Sequence, residues 1–169
     1  MISLCTWDKT VILTTIIVSA VILAIAIASL IALKKSQKRD GYSSFAKFVL
    51  SVVICIAMFT SFLFTPLSIT VQDGLVQVKQ IKGNLNIPVK EIKEIRLCTQ
   101  SDTKNGRRTF GSGGYFGYLG KFRSAQLGAY QMYATNRSKK FLIKTNESTY
   151  VFSCDEPDQI IDYIYALID

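Results

Sequence analysis

From Thr10 to Leu33 the chain reads TVILTTIIVSAVILAIAIASLIAL, without one charged side chain. An α-helix rises about 1.5 Å per residue, so this run is long enough to cross the ~30 Å hydrocarbon layer of a bilayer. A second uncharged stretch, FVLSVVICIAMFTSFLFTPLSITVQ, runs from Phe48 to Gln72, and its part before Pro66 is just long enough to span. We therefore expect a membrane hairpin over residues 1–66, with helices at about 10–33 and 46–65. The remainder, 67–169, is charged and alternating in character and reads as one small domain held close to the membrane.

The first run is too long for a cleaved signal peptide, whose apolar region covers only roughly 7–15 residues, so we expect it to stay as an anchor. Trp7 before the first helix, and Tyr42 and Phe45 before the second, sit where amphipathic rings favour the water–lipid boundary. The connection KKSQKRDGYSSFAK carries Lys34, Lys35, Lys38, Arg39 and Lys47 against Asp40 alone. By the positive-inside rule the connection is cytoplasmic, which leaves both termini and the C-terminal domain outside the cytoplasm. Ala20, Ala24 and Ala28 form a small-residue face on the first helix, and Ser51, Cys55, Ala57 and Ser61 offer one on the second. Such faces allow close helix approach, within the hairpin or between copies of the chain.

The domain begins with LSITVQDGLVQVKQI, two strands around Asp73-Gly74, a dipeptide that supplies the positive φ of a tight hairpin turn. IKGNLNIPVKEIKEIRLC follows, with a turn at Lys82 to Asn84 and Ile87, Val89, Ile92 and Ile95 as core candidates. The segments LGAYQMYAT, KKFLIKT and STYVFSC alternate apolar and polar residues between polar turns, and predict an antiparallel meander. In EPDQIIDYIYALID the period changes: Ile160, Ile161, Ile164, Leu167 and Ile168 share one helical face. Pro157 suits the first helical position, and Asp155, Glu156 and Asp158 favour the positive end of the helix dipole. The expected fold class is thus mainly β with a C-terminal helix. Cys98 and Cys154 each end a strand segment and are either a disulfide or two buried thiols, according to compartment.

Three stretches, RTFGSGGYFGYLGKF, LGAYQMYATN and YVFSCDEPDQIIDYI, resemble a family of bacterial membrane proteins that carry a pleckstrin-homology-like (PH-like) domain. The resemblance covers the chain from about Leu67 to the C-terminus, and a preceding membrane hairpin is usual in such proteins. It implies a PH-like antiparallel barrel in a multi-pass protein of the bacterial inner (cell) membrane. Where family members often have Ser-Pro at the start of the helix, this chain has Ser153-Cys154. The shared motifs carry no agreed ligand or catalytic role.

The glycine-rich stretch is the candidate site. A P-loop needs a glycine at 115 and a hydroxyl at 122, where this chain has Tyr115 and Phe122. A dinucleotide fingerprint counted from Gly111 needs a glycine where Phe116 stands. Two readings remain. Gly111, Gly113, Gly114, Gly117 and Gly120 form a structural loop, holding positive φ or letting backbones meet above Tyr115, Phe116, Tyr118 and Phe122. Arg107, Arg108, Lys121 and Arg123 flank that loop and are candidates for contact with membrane lipids or an acidic partner. The chain has no histidine, which removes the commonest general base and metal ligand, and Glu91 and Glu94 read as solvent-facing rather than as a catalytic pair. We expect no enzyme activity, no catalytic residue, no metal and no cofactor. We expect no nucleic acid partner, since the membrane anchor and the location outside the cytoplasm argue against one. The expected role is a binding or scaffold module for lipid headgroups, a membrane protein partner or another copy of the chain, with a regulatory subunit of a neighbouring membrane enzyme or transporter as the alternative.

Overall fold

The computed structural model describes residues 1–35 and 41–168. Lys38, Arg39 and Asp40 of the basic connection and Asp169 lie outside the described residues, as do the side chains of Lys34, Lys35 and Tyr42. Helix α1 runs Lys9–Lys35 and helix α2 runs Gly41–Leu63. Their segments Lys9–Ala32 and Phe45–Leu63 are long and apolar enough to cross a membrane, with only 11% and 6% of their most apolar windows buried inside the protein. A helix in a soluble core buries its apolar face against neighbours, so these two keep an apolar surface that the protein itself does not cover. The Ala20, Ala24 and Ala28 stripe does not face inward as a packing seam: those positions are exposed, and the sheltered face of α1 carries Val11, Thr15, Val18, Ile22, Ala26 and Ser29. On α2, Ser51 is buried and donates to the Phe48 carbonyl at 2.7 Å.

Two sheets follow. The first contains β1 (Ile2–Leu4), β2 (Pro66–Gln72), β3 (Leu75–Gln80) and β4 (Gly83–Pro88), all antiparallel in that order. Asp73 (φ 53) and Gly74 (φ 71) make the tight turn between β2 and β3, as the Asp-Gly dipeptide predicts. Strand β1 is not legible as part of the domain, and the boundary at residue 66 divides what the structure joins. Residues 2–4 pair with Thr70, Ile69 and Ser68, while the Val71 amide donates to the Met1 carbonyl at 2.9 Å and the Cys5 amide to the Leu67 carbonyl at 3.0 Å. The N-terminal segment thus covers the open edge of β2, whose backbone groups would otherwise be unpaired.

The second sheet contains β5 (Ile92–Leu97), β6 (Arg107–Gly113), β7 (Tyr118–Ser124), β8 (Gly128–Ala134), β9 (Lys140–Thr145) and β10 (Thr149–Ser153), in the order β5-β9-β10-β8-β7-β6. The expected meander is corrected here: β8 and β10 are parallel neighbours, and β9 lies outside them. The connection after β8 is long enough to skip one strand position, and the tight β9–β10 turn then folds β10 into the gap. Ser153 Oγ locks that gap, accepting from the Thr135 amide at 2.8 Å and the Asn136 amide at 3.1 Å. Every other strand pair is antiparallel.

Helix α4 (Pro157–Ile168) closes the core through Ile160, Ile161 and Ile164. Leu167 and Ile168, expected on the same buried face, are about half exposed, so the buried face of the helix ends at Ile164. Burying each isoleucine contributes about 1.5–3 kcal/mol. One core cluster joins these residues to Ile69, Val78, Ile95, Phe141, Ile143 and Phe152 between the sheets. A second gathers Tyr118, Phe122, Tyr130, Met132, Leu142 and Val151 on the other face of the larger sheet, together with fully buried Val11 from α1. The first turns of α1 therefore belong to the domain, and the uncharged run starting at Thr10 is not all available to a membrane. Cys98 belongs to the second cluster and Cys154 to the first, both as free thiols, so the larger sheet separates them.

Candidate functional site

The glycine-rich stretch is a β-hairpin rather than a loop: β6 and β7 pair from Arg107↔Arg123 to Gly113↔Tyr118, with an irregularity between Arg108 and Phe110. No nucleotide cradle forms, since a strand and not a helix follows the glycines. Gly111 and Gly120 face each other in this register with φ of 111° and 115°. A Cβ on Gly111 would run into the Leu119 carbonyl, and one on Gly120 into the Phe110 carbonyl, so the two backbones approach more closely than any side chain permits. Gly114 and Gly117 flank the tip. Gly113 is different from the other four: its φ lies outside the positive range and its nearest neighbour is the Arg108 side chain.

At the tip, Phe116 holds a left-handed backbone, φ 56, which is a strained state for a bulky residue and costs on the order of 1–3 kcal/mol. Its surroundings explain why it persists. The Phe116 ring lies 5.7 Å from Trp7, 4.9 Å from Phe62 of α2 and 4.3 Å from Tyr115, centroid to centroid. Its amide donates to Thr15 Oγ1 of α1 at 3.0 Å, and the Tyr115 hydroxyl lies 3.2 Å from Ser19 Oγ. At 1.5 Å per residue, Thr15 and Ser19 lie about 9 and 15 Å along α1 from Lys9. The tip is thus wedged against both apolar helices, at the level of the last turns of α2.

Register divides the four candidate cations. Phe110 faces Lys121 and Arg107 faces Arg123, so these share the β7 face of Leu119, whereas Arg108 faces Phe122 on the opposite side. With a rise of ~3.3 Å per residue, Lys121 stands about 13 Å and Arg123 about 20 Å beyond Gly117. All four cationic residues are exposed. The ion pairs found among the described residues are those of Arg96 with Glu94 and Asp102, and none involves these four. Arg137, from the β8–β9 connection, lies over the Tyr118 ring at 4.7 Å, on the Arg108 side of the hairpin.

Between the last turns of α2 and the Lys121 face of β6–β8 lies a groove of about 480 Å³. Ala57 and Phe64 give it an apolar wall on the helix side, with Thr60 and Ser61 beside them, and Lys121 and Gln131 make the sheet side polar. Phe110 lines it while remaining 75% exposed, the most open of the large apolar side chains among the described residues. The Tyr133 hydroxyl donates to Gln131 Oε1 at 3.1 Å, and burial pushes the Tyr133 phenol up.

One residue at the junction of helix and domain escapes the sequence reading. Asp8 caps α1, its Oδ1 accepting from the Val11 amide at 2.7 Å, while Oδ2 accepts from the Arg137 amide at 3.0 Å. The Asp8 amide donates to the Thr135 carbonyl at 3.0 Å, so a single residue ties the start of α1 to the end of β8. An aspartate three residues before Val11, at the head of an apolar run, is a legible cap, but its tie to Arg137 is not. A second polar cluster is structural: Arg96 donates to both Asp102 oxygens at 2.7 and 2.9 Å, and Thr99 completes a capping box on α3 (Gln100–Thr103). Hydrogen bonds from Arg96, with help from Thr99 and against the effect of burial, hold the Asp102 carboxyl well below the usual carboxylate range. Glu91 and Glu94 are exposed, and among the described residues no three Cys, Asp or Glu groups gather in a way that would hold a metal ion.

A family model described as a bacterial PH domain matches residues 67–166. Comparison with curated proteins gives no match, and neither does comparison with solved structures.

Proposed function

Because the chain belongs to the bacterial PH domain family, we propose that it is a non-catalytic, membrane-anchored module that holds its PH-like domain against an anionic surface through the β6–β7 hairpin. The observation that carries this reading is the wedging of Tyr115 and Phe116 against the two apolar helices, with Arg107, Lys121 and Arg123 together on one face farther along the hairpin. In this reading α1 and α2 both span the membrane, the hairpin tip sits at the edge of the hydrocarbon layer, and the basic face looks toward the headgroups. The pairing of β1 with β2 supports an N-terminus and a C-terminal domain on one side of the membrane. The positive-inside rule makes that side the non-cytoplasmic one. The burial of Val11 and the incorporation of residues 2–4 into a sheet favour an anchor that stays attached.

Each cation near an anionic surface contributes about 1 kcal/mol, so the three together amount to about 3 kcal/mol, screened by salt. The test uses the full chain, Cys55→Ser and Thr109→Cys, labelled with a fluorophore at the exposed position 109 and placed in nanodiscs. Quenching by aqueous acrylamide should be weaker in phosphatidylglycerol than in phosphatidylcholine, and that difference should vanish in high salt and in the Arg107→Gln, Lys121→Gln, Arg123→Gln triple variant. Equal quenching in both lipids would overturn the reading. A photocrosslinker at position 109 that captures one discrete protein in native membranes, instead of lipid, would replace the lipid surface by an acidic protein partner.

A further inference from the structure

We propose that the groove between α2 and β6–β8 holds a single anionic glycerophospholipid, with its phosphate at Lys121 and the upper part of an acyl chain along Ala57, Phe64 and Phe110. The inference rests on the membrane-anchored reading above and names an occupant for part of the same face. Two observations select a lipid. First, one wall of the groove is the end of the apolar segment Phe45–Leu63, so the groove opens into the layer where lipids themselves begin. Second, its lining is mixed as a lipid needs: Ala57, Phe64 and Phe110 are apolar, Lys121 offers an ammonium and Gln131 an amide, while the Thr60 and Ser61 hydroxyls already donate to the Ile56 and Ala57 carbonyls. Lys121 has no carboxylate partner among the ion pairs of the described residues.

The groove's volume of about 480 Å³ lies within the range of ordinary ligand pockets, ~300–1,000 Å³. Phe110 then has a reason to be exposed at the hairpin edge: its ring lies against the acyl chain instead of against protein.

The full chain is extracted with mild detergent from nanodiscs of mixed phosphatidylcholine and phosphatidylglycerol, and retained lipid is counted by native mass spectrometry. The parent chain should keep one phosphatidylglycerol. Loss of one charge-assisted contact is worth a factor of roughly ten or more, so Lys121→Gln should reduce retention about tenfold. Ala57→Trp fills the groove and should abolish retention; should that chain melt lower than the parent, the exposed substitution Lys121→Glu stands in for it. Lys144→Gln, an exposed cation of β9 that does not line the groove, should retain lipid. No retained lipid, equal retention of phosphatidylcholine, or parent-like retention in both Lys121→Gln and Ala57→Trp would overturn the proposal. A chain whose label at position 109 shows salt-dependent shielding but which retains no lipid would overturn the groove alone and leave the basic-face reading standing.

Discussion

Gly120→Ala places a methyl group where the β6 and β7 backbones meet. With φ at 115°, residue 120 occupies a region that costs a side-chain-bearing residue about 1–3 kcal/mol. The new Cβ would also overlap the Phe110 carbonyl and lie 3.0 Å from the Gly111 Cα. Both obstacles are backbone atoms of a paired strand, so they cannot rotate away as a side chain would, and overpacking of this kind costs roughly 1–3 kcal/mol more. The sum, about 2–6 kcal/mol, corresponds at roughly 2–4 °C per kcal/mol to a fall near 8–16 °C at its centre. Gly113→Ala is the matched control, because residue 113 lies in the same strand without positive φ and meets only the flexible Arg108 side chain. It should change stability by no more than about 1 kcal/mol. Thermal melting of the full chain in detergent, followed by circular dichroism, compares the two. If Gly120→Ala melted within 2–3 °C of the parent, or if Gly113→Ala fell as far, the close backbone approach would not be what the glycines provide.

Ile164→Asp strands a charge in the main core and should unfold the domain, whereas Leu167→Asp, on the half-exposed end of the same helix, should melt near the parent; equal effects would refute the packing of α4. Asp102 binds its proton less readily folded than unfolded, so the stability it confers is complete above the unfolded value and drains away as pH falls below about 4. Urea denaturation across pH 2–6 should show that loss in the parent, and Asp102→Asn should flatten it. Cys5, Cys98 and Cys154 are buried, and burial pushes all three thiols up, so none should react with a polar maleimide until the domain unfolds. An added Asn146→Cys in the exposed β9–β10 turn should be labelled by an impermeant maleimide from outside intact cells; labelling only after lysis would reverse the proposed topology.

The elements that depend on neighbours in the chain were legible from residues alone. Absence of charge over Thr10–Leu33, the positive φ required at Asp73-Gly74 and the helical spacing of Ile160, Ile161 and Ile164 are local properties, and each appears in the structure near its expected place. The resemblance carried by the glycine-rich stretch and the terminal helix implies the PH-like fold, and the family match bears it out. Pairings between distant segments were not legible, because alternation specifies that a strand has two faces but not which strand lies beside it. That is why β10 entering between β8 and β9, and residues 2–4 joining β2, emerged only in three dimensions. The same limit applies to the site. Sequence grouped Arg107, Arg108, Lys121 and Arg123 by proximity along the chain, whereas strand register turns Arg108 to the other face and brings Lys121 to a groove whose far wall, Ala57 to Phe64, lies some sixty residues away. Composition determined that a hydrophobic hairpin and a basic sheet would share one chain; the docking of Phe116 against Thr15 and Phe62, a contact no local rule encodes, decided how the one is held against the other.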